Sequence, residues 1–117
     1  MARTVTLWRP VGPAELNLIK ATKMREFPPR LPEQPIFYPV TTREYAVKIA
    51  RDWNLPADGS GFVTEFEVSA DFLARYRIEL AGGREHQEYW VPADDLPVFN
   101  AAIVGAIRVV DCFGDAR

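Results

Sequence analysis

The chain has 117 residues, 48% of them hydrophobic and 26% charged, the balance of one globular domain (1–117) with its own core and not of a disordered chain. Lys and Arg total 14 against 16 Asp and Glu, a net charge of -2, and no basic run could neutralise a phosphate backbone, so nucleic acid is not the expected partner. One cysteine, Cys112, excludes an internal disulfide, and with one histidine, His86, there is no Cys/His set for zinc and no metal site is expected.

The opening MARTVTLWRP has no signal-peptide core, and no apolar run approaches the roughly 18 residues of a membrane span. A cytoplasmic protein without a membrane partner is expected. Thr4 to Trp8 alternates as a short strand with Val5 and Leu7 on one face, closed by Arg9-Pro10. Gly12-Pro13 opens a helix through Leu16 and Ile19 that fades near Thr22. Prolines 28, 29, 32 and 35 then make a stiff connector, or alternatively a lid.

The stretch from Pro32 to Trp53 switches sharply from strand to helix. Ile36 to Val40 is a short apolar run, and Thr41-Thr42-Arg43-Glu44 fits a capping box with Thr41 as N-cap. Tyr45, Ala46, Ile49, Ala50 and Trp53 follow as one helical stripe, in which Trp53 reads as packing. A strand feeding a helix so tightly leaves Tyr38 and the cap's N–H groups at the edge of a candidate cleft.

Asn54 to Gly61 reads as a turn-rich loop, and Gly61 to Val68 alternates as a strand with Phe62, Thr64, Phe66 and Val68 inward and its other face wet. Ser69 caps one helical turn to Leu73, and Arg75 to Leu80 alternates again. Ala81-Gly82-Gly83-Arg84 fits a hairpin turn, with Glu85 to Val91 as the returning strand. Pro92 to Phe99 looks like a short helix limited by Pro97. Ile103 to Phe113 is the final strand, with a bulge at Gly105 and Cys112 as a small buried residue. The order implies an α+β fold, a mixed or antiparallel sheet with two to three short helices.

On the returning strand the period of two sends His86, Glu88 and Trp90 to one face and Gln87, Tyr89 and Val91 to the other. If Tyr89 and Val91 join the core, Glu88 faces a cleft, where a carboxylate can hold a ligand hydroxyl or stabilise positive charge. On spacing alone, solvent-side strand residues are the commoner case. Arg9 is similarly an anion anchor or a surface strand end, and Tyr38 and Tyr45 stack on a ligand ring or join the core. The chain has no P-loop, G-x-G-x-x-G, G-x-S-x-G or H-E-x-x-H.

LWRPV at 7–11, IFYPVTTREYA at 36–46 and HQEYWVP at 86–92 together resemble the three motif strands of the ADP-ribosyltransferase superfamily. The chain as a whole is similar to small bacterial proteins labelled "ADP-ribosylation/crystallin J1". The resemblance implies an ADP-ribosyltransferase-like fold that takes NAD as substrate and passes ADP-ribose to an unknown acceptor. It makes Arg9 the holder of the adenosine side, Tyr38 with Thr41 and Thr42 the nicotinamide clamp, His86 a further NAD contact, and Glu88 the catalytic carboxylate on the ribose. Here the second motif reads Tyr-Pro-Val-Thr-Thr where the superfamily has Ser-Thr-Ser, and the third carries His86-Gln87-Glu88 where arginine-modifying members have Glu-x-Glu. An alternative therefore stands beside the enzyme: a catalytically degenerate module binding a nucleotide or a protein on the same scaffold.

Overall fold

The computed structural model describes residues 3–80 and 86–114. Its first strand, β1 (Thr4–Val11), continues past Trp8. Trp8 turns both its backbone N–H and its C=O outward to Val40, at 3.0 and 2.8 Å. Pro10, two residues on, faces the same way and withholds no bond from the strand inside, as an edge position allows.

That inner strand is β3 (Ser60–Ser69), antiparallel both to β1 and to the last strand, β7 (Ile103–Gly114). Phe62, Thr64, Phe66 and Val68 point into the core, as their alternation predicts. The other face is wet only around Glu65 and Glu67, which meet Arg108 at 3.3 and 3.5 Å. Val63 is fully buried instead, packed with Val40, Ala46 and Ala50. On β7 the register against β3 slips between Glu65 and Glu67, where Gly105 takes a φ of 82°; a bulge there needs the left-handed freedom of glycine. Cys112, expected to be buried, is exposed.

Helix α1 (Pro13–Ala21) turns Leu16 and Ile19 inward. The connector after it includes Phe27, which is 2% exposed and meets Phe37 and Phe66 at ring-centroid distances of 5.1 and 4.9 Å. Phe99 joins the same group against Phe37 at 5.1 Å in an edge-on contact, the geometry aromatic quadrupoles favour. The core thus fixes the proline-rich segment at one residue.

The next elements are β2 (Ile36–Phe37) and helix α2 (Arg43–Ile49). Thr42, not Thr41, is the N-cap: its side chain accepts the Tyr45 N–H at 3.2 Å. Thr41 donates its own N–H to the Gln87 carbonyl at 3.0 Å, so that pairing displaces the helix start by one residue. The helix also runs on beyond Trp53, through a π turn (Ala50–Asn54) into α3 (Leu55–Asp58), ending at Gly59 with φ 81°. Asn54 to Gly61 is therefore mostly helical and not a loop. Pro56 fits because the widened turn precedes it, where a regular helix would bring its ring against the carbonyl four residues back. Gly61 is required for packing: a Cβ there would lie 2.5 Å from the Ala50 carbonyl oxygen.

Ser69 caps α4 (Ala70–Leu73) as expected, accepting the Phe72 N–H at 3.4 Å. Beyond it β4 (Ile78–Leu80) pairs antiparallel with β5 (Gln87–Tyr89), and β6 (Val91–Pro92) pairs with β2. The expected returning strand is thus broken at Trp90. The turn expected at Ala81–Arg84 lies outside the described residues. Pro97 sits in the first turn of α5 (Leu96–Ala101), so it starts that helix and does not limit it.

All strand pairs among the described residues are antiparallel, and helical turns are more numerous than the two or three expected. The α+β class stands. The radius of gyration, 13.5 Å, matches the roughly 13 Å of one domain of this size. Val40 is the joint that places the site, bridging Trp8 of β1 on one side and Glu88 of β5 on the other.

Candidate functional site

Because Val40 ties β1 to β5, residues adjoining the three strands converge beside it. A cleft of about 680 Å³ opens there, lined by Arg9, Tyr38 and Glu88 from the three motif segments. Helix α2 and its π extension contribute Ile49, Trp53 and Asn54, and the remaining lining includes Arg30 and Trp90. Three segments spread over some eighty residues thus meet around one hollow. A volume in the usual range of ligand pockets, with aromatic lining and a few charged groups, is the ordinary form of a small-molecule site.

Tyr89 is 9% exposed and Val91 is fully buried, so the strand's alternation turns Glu88 to the cleft. Glu88 is nonetheless only 7% exposed as a residue, and its carboxylate is held at both oxygens. Tyr45 Oη donates to Oε2 at 3.0 Å, and Trp90 Nε1 donates to Oε1 at 2.7 Å. Two donors make the burial of this charge tolerable. The phenol responds in turn: burial first, and then the negative charge of Glu88, push Tyr45 up to about 12.

Arg9 shares the inward face of β1 with Leu7 and Val11 and is 8% exposed. One edge of its fork is already engaged, with Nε and Nη2 donating to the two oxygens of Glu15 at 2.7 and 3.0 Å. Its guanidinium also lies 4.6 Å from the centroid of the Phe37 ring. A bidentate, charge-assisted pair of this kind fixes geometry and largely cancels the charge. Arg9 therefore shapes the cleft more than it charges it.

Arg30 is different. Its guanidinium lies 6.0 Å from the centroid of the same Phe37 ring, and its Nε is buried without a hydrogen-bond partner among the described residues. Among the described residues no carboxylate pairs with it. Burial, and next the nearby Arg9, lower its pKa from the ordinary arginine value, which is far too high for that to cost the proton at neutral pH.

Tyr38 is 41% exposed and sets its ring edge-on to Trp90 at 6.4 Å. Trp53, read from the helical stripe as packing, is 69% exposed and lines the cleft. The π turn is the cause, since one extra residue per turn rotates position 53 off the stripe that Ala46 and Ala50 continue.

Thr41, Thr42 and His86 do not line this cleft. Thr41 is spent on Gln87 and Thr42 on the helix cap. His86 stacks on Tyr45 at 4.6 Å and 15°, beside a separate hollow that it shares with Thr42 and Glu44. Tyr45 thus stands between His86 and Glu88.

Arg30, Asn54 and Glu15 are the site residues that sequence reading passes over. Arg30 carried one signal, a charged side chain held among four prolines. Asn54 carried none, because its place depends on a helix that continues through Pro56.

Among the described residues no group of three or more His, Cys, Asp or Glu could hold a metal ion, and no helix is long and apolar enough to cross a membrane. Comparison with family models, with curated proteins and with solved structures finds no match to this chain.

Proposed function

We propose that the cleft binds NAD and that the chain is an ADP-ribosyltransferase-like protein passing ADP-ribose to an acceptor nucleophile. One observation carries the reading: Arg9, Tyr38 and Glu88, each from a different motif segment, line the same hollow. In the reaction the bond from the ribose anomeric carbon to the nicotinamide nitrogen breaks, and its electron pair leaves with nicotinamide. Glu88 stabilises the oxocarbenium-like ribose, and the acceptor closes the new bond as it gives up its proton. Tyr38 and Trp90 offer ring faces and edges to the nicotinamide, holding the dinucleotide in one orientation.

A second reading keeps the nucleotide and drops the transfer. It is favoured by the state of the two charged motif residues: both Glu88 oxygens already accept hydrogen bonds, and Arg9 donates from Nε and Nη2 to both oxygens of Glu15. A carboxylate so committed has less left to offer a ribose.

Titrating NAD into the wild type and Glu88→Gln while following nicotinamide release decides between them. Release that the substitution abolishes supports transfer. Binding without release supports a degenerate nucleotide module, and absence of binding at millimolar NAD removes both.

A further inference from the structure

We propose that Arg30 is the phosphate anchor of this cleft, with Arg9 as its fixed neighbour, and that the ligand is a nucleotide whose phosphates Arg30 engages through its fork. The inference rests on the reading of the cleft as a nucleotide site, and is independent of what becomes of the nucleotide there.

Two guanidiniums approach one aromatic ring, Arg9 at 4.6 Å and Arg30 at 6.0 Å from the Phe37 centroid. Glu15 neutralises the first, and among the described residues no carboxylate pairs with the second. Glu88, which also lines the cleft, is turned to Tyr45 and Trp90. The cleft is therefore lined by a cation with an unspent charge, whose buried Nε–H finds no acceptor among the described residues. A buried donor without a partner is unfavourable until something accepts its hydrogen bond. An oxyanion with two adjacent oxygens is the natural acceptor for a planar fork.

The backbone supports the same role. Arg30 lies between Pro29 and Pro32, three residues after Phe27, whose ring is buried and whose N–H and C=O are both bonded to Asn100 at 3.0 Å. A segment so restrained loses little freedom on binding. Asn54 adds a reason to expect a nucleotide and not free phosphate: the residue lines the same cleft, and its buried carboxamide oxygen has no donor among the described residues. A ligand that satisfies both carries phosphate oxygens and a hydroxyl or amino group together.

The test is isothermal titration of ADP, inorganic pyrophosphate and adenosine into the wild type, Arg30→Gln and Arg30→Lys, with circular dichroism to check the fold. Expected is ADP binding that falls at least about tenfold in Arg30→Gln and about threefold in Arg30→Lys, which keeps charge and loses the fork. Adenosine should bind all three proteins alike, and pyrophosphate more weakly than ADP. If Arg30→Gln does not fold, the Lys variant carries the comparison. Equal ADP affinity in the folded variants, or no binding of ADP by the wild type, overturns the proposal. ADP held through Arg30 without nicotinamide release from NAD keeps the anchor and removes the transferase; release at unchanged KM in Arg30→Gln does the reverse.

Discussion

Tyr45 and Glu88, forty-three positions apart, are joined by a 3.0 Å hydrogen bond from the phenol to Oε2. The bond couples the capped helix to the strand that carries the candidate catalytic carboxylate. Tyr45→Phe keeps the ring, and with it the stack on His86 at 4.6 Å, while removing only the donor. A hydrogen bond to a charged group contributes about 1.5–3 kcal/mol, so urea unfolding should show a loss near the lower figure, because Trp90 still holds the other oxygen. A double-mutant cycle with Glu88→Gln should show that most of this loss disappears when the carboxylate is absent. Additive effects would mean that the two side chains are not coupled in solution.

The same contact has a pH signature. Burial first, with Glu88 behind it, raises Tyr45 to about 12, and burial with a 2.7 Å bond to Asp95 raises Tyr76 to about 12. Both phenols are more easily ionised in the unfolded chain, whose tyrosines keep the ordinary value of 10.0. Their contribution to stability is complete below pH 10 and disappears as the pH rises through about 12. Absorbance titration of phenolate should resolve late-titrating tyrosines in the folded protein, and denaturant midpoints should decline across that window. A single titration at the ordinary value, unchanged by urea, would contradict the placement of both hydroxyls.

What could be read from the sequence was whatever depends on local period. The inward set of β3, the Ser69 cap, the Gly105 bulge and the orientation of Glu88 follow from alternation and from backbone chemistry at single positions. The helix through Ala50–Asn54 was not legible, because Pro56 signals a break and only the π turn relieves it. Trp53 was misread for the same reason. The site divides along the same line: Arg9, Tyr38 and Glu88 could be picked out one by one, whereas the Glu15 pairing of Arg9 and the approach of Arg30 depend on how distant segments pack.

Asn100 should matter more than an amide on a short helix usually does. It closes both backbone groups of Phe27, accepting the N–H and donating to the C=O at 3.0 Å each. Asn100→Ala leaves two partly buried backbone groups unpaired, a cost of about 1–3 kcal/mol for each one that water does not reach. The substitution should lower the urea midpoint and, by loosening the connector that carries Arg30, weaken ADP binding as well. Lower stability with ADP affinity intact would show that Phe27's aromatic contacts hold the connector without the amide.

Trp53 separates ligand from fold. At 69% exposed on the cleft wall it has little packing to lose, and exposed substitutions usually change stability by no more than about 0.5 kcal/mol. Trp53→Ala should therefore unfold at nearly the wild-type urea concentration, the more so because alanine suits a helix better. Binding should respond differently, since an aromatic ring stacked on a base is worth roughly 1–3 kcal/mol, about 5- to 150-fold in affinity. Indole fluorescence gives the readout: NAD should quench the wild type, and the variant should show both a smaller quench and a weaker Kd. An unchanged Kd would place the ligand ring elsewhere, against Tyr38 and Trp90.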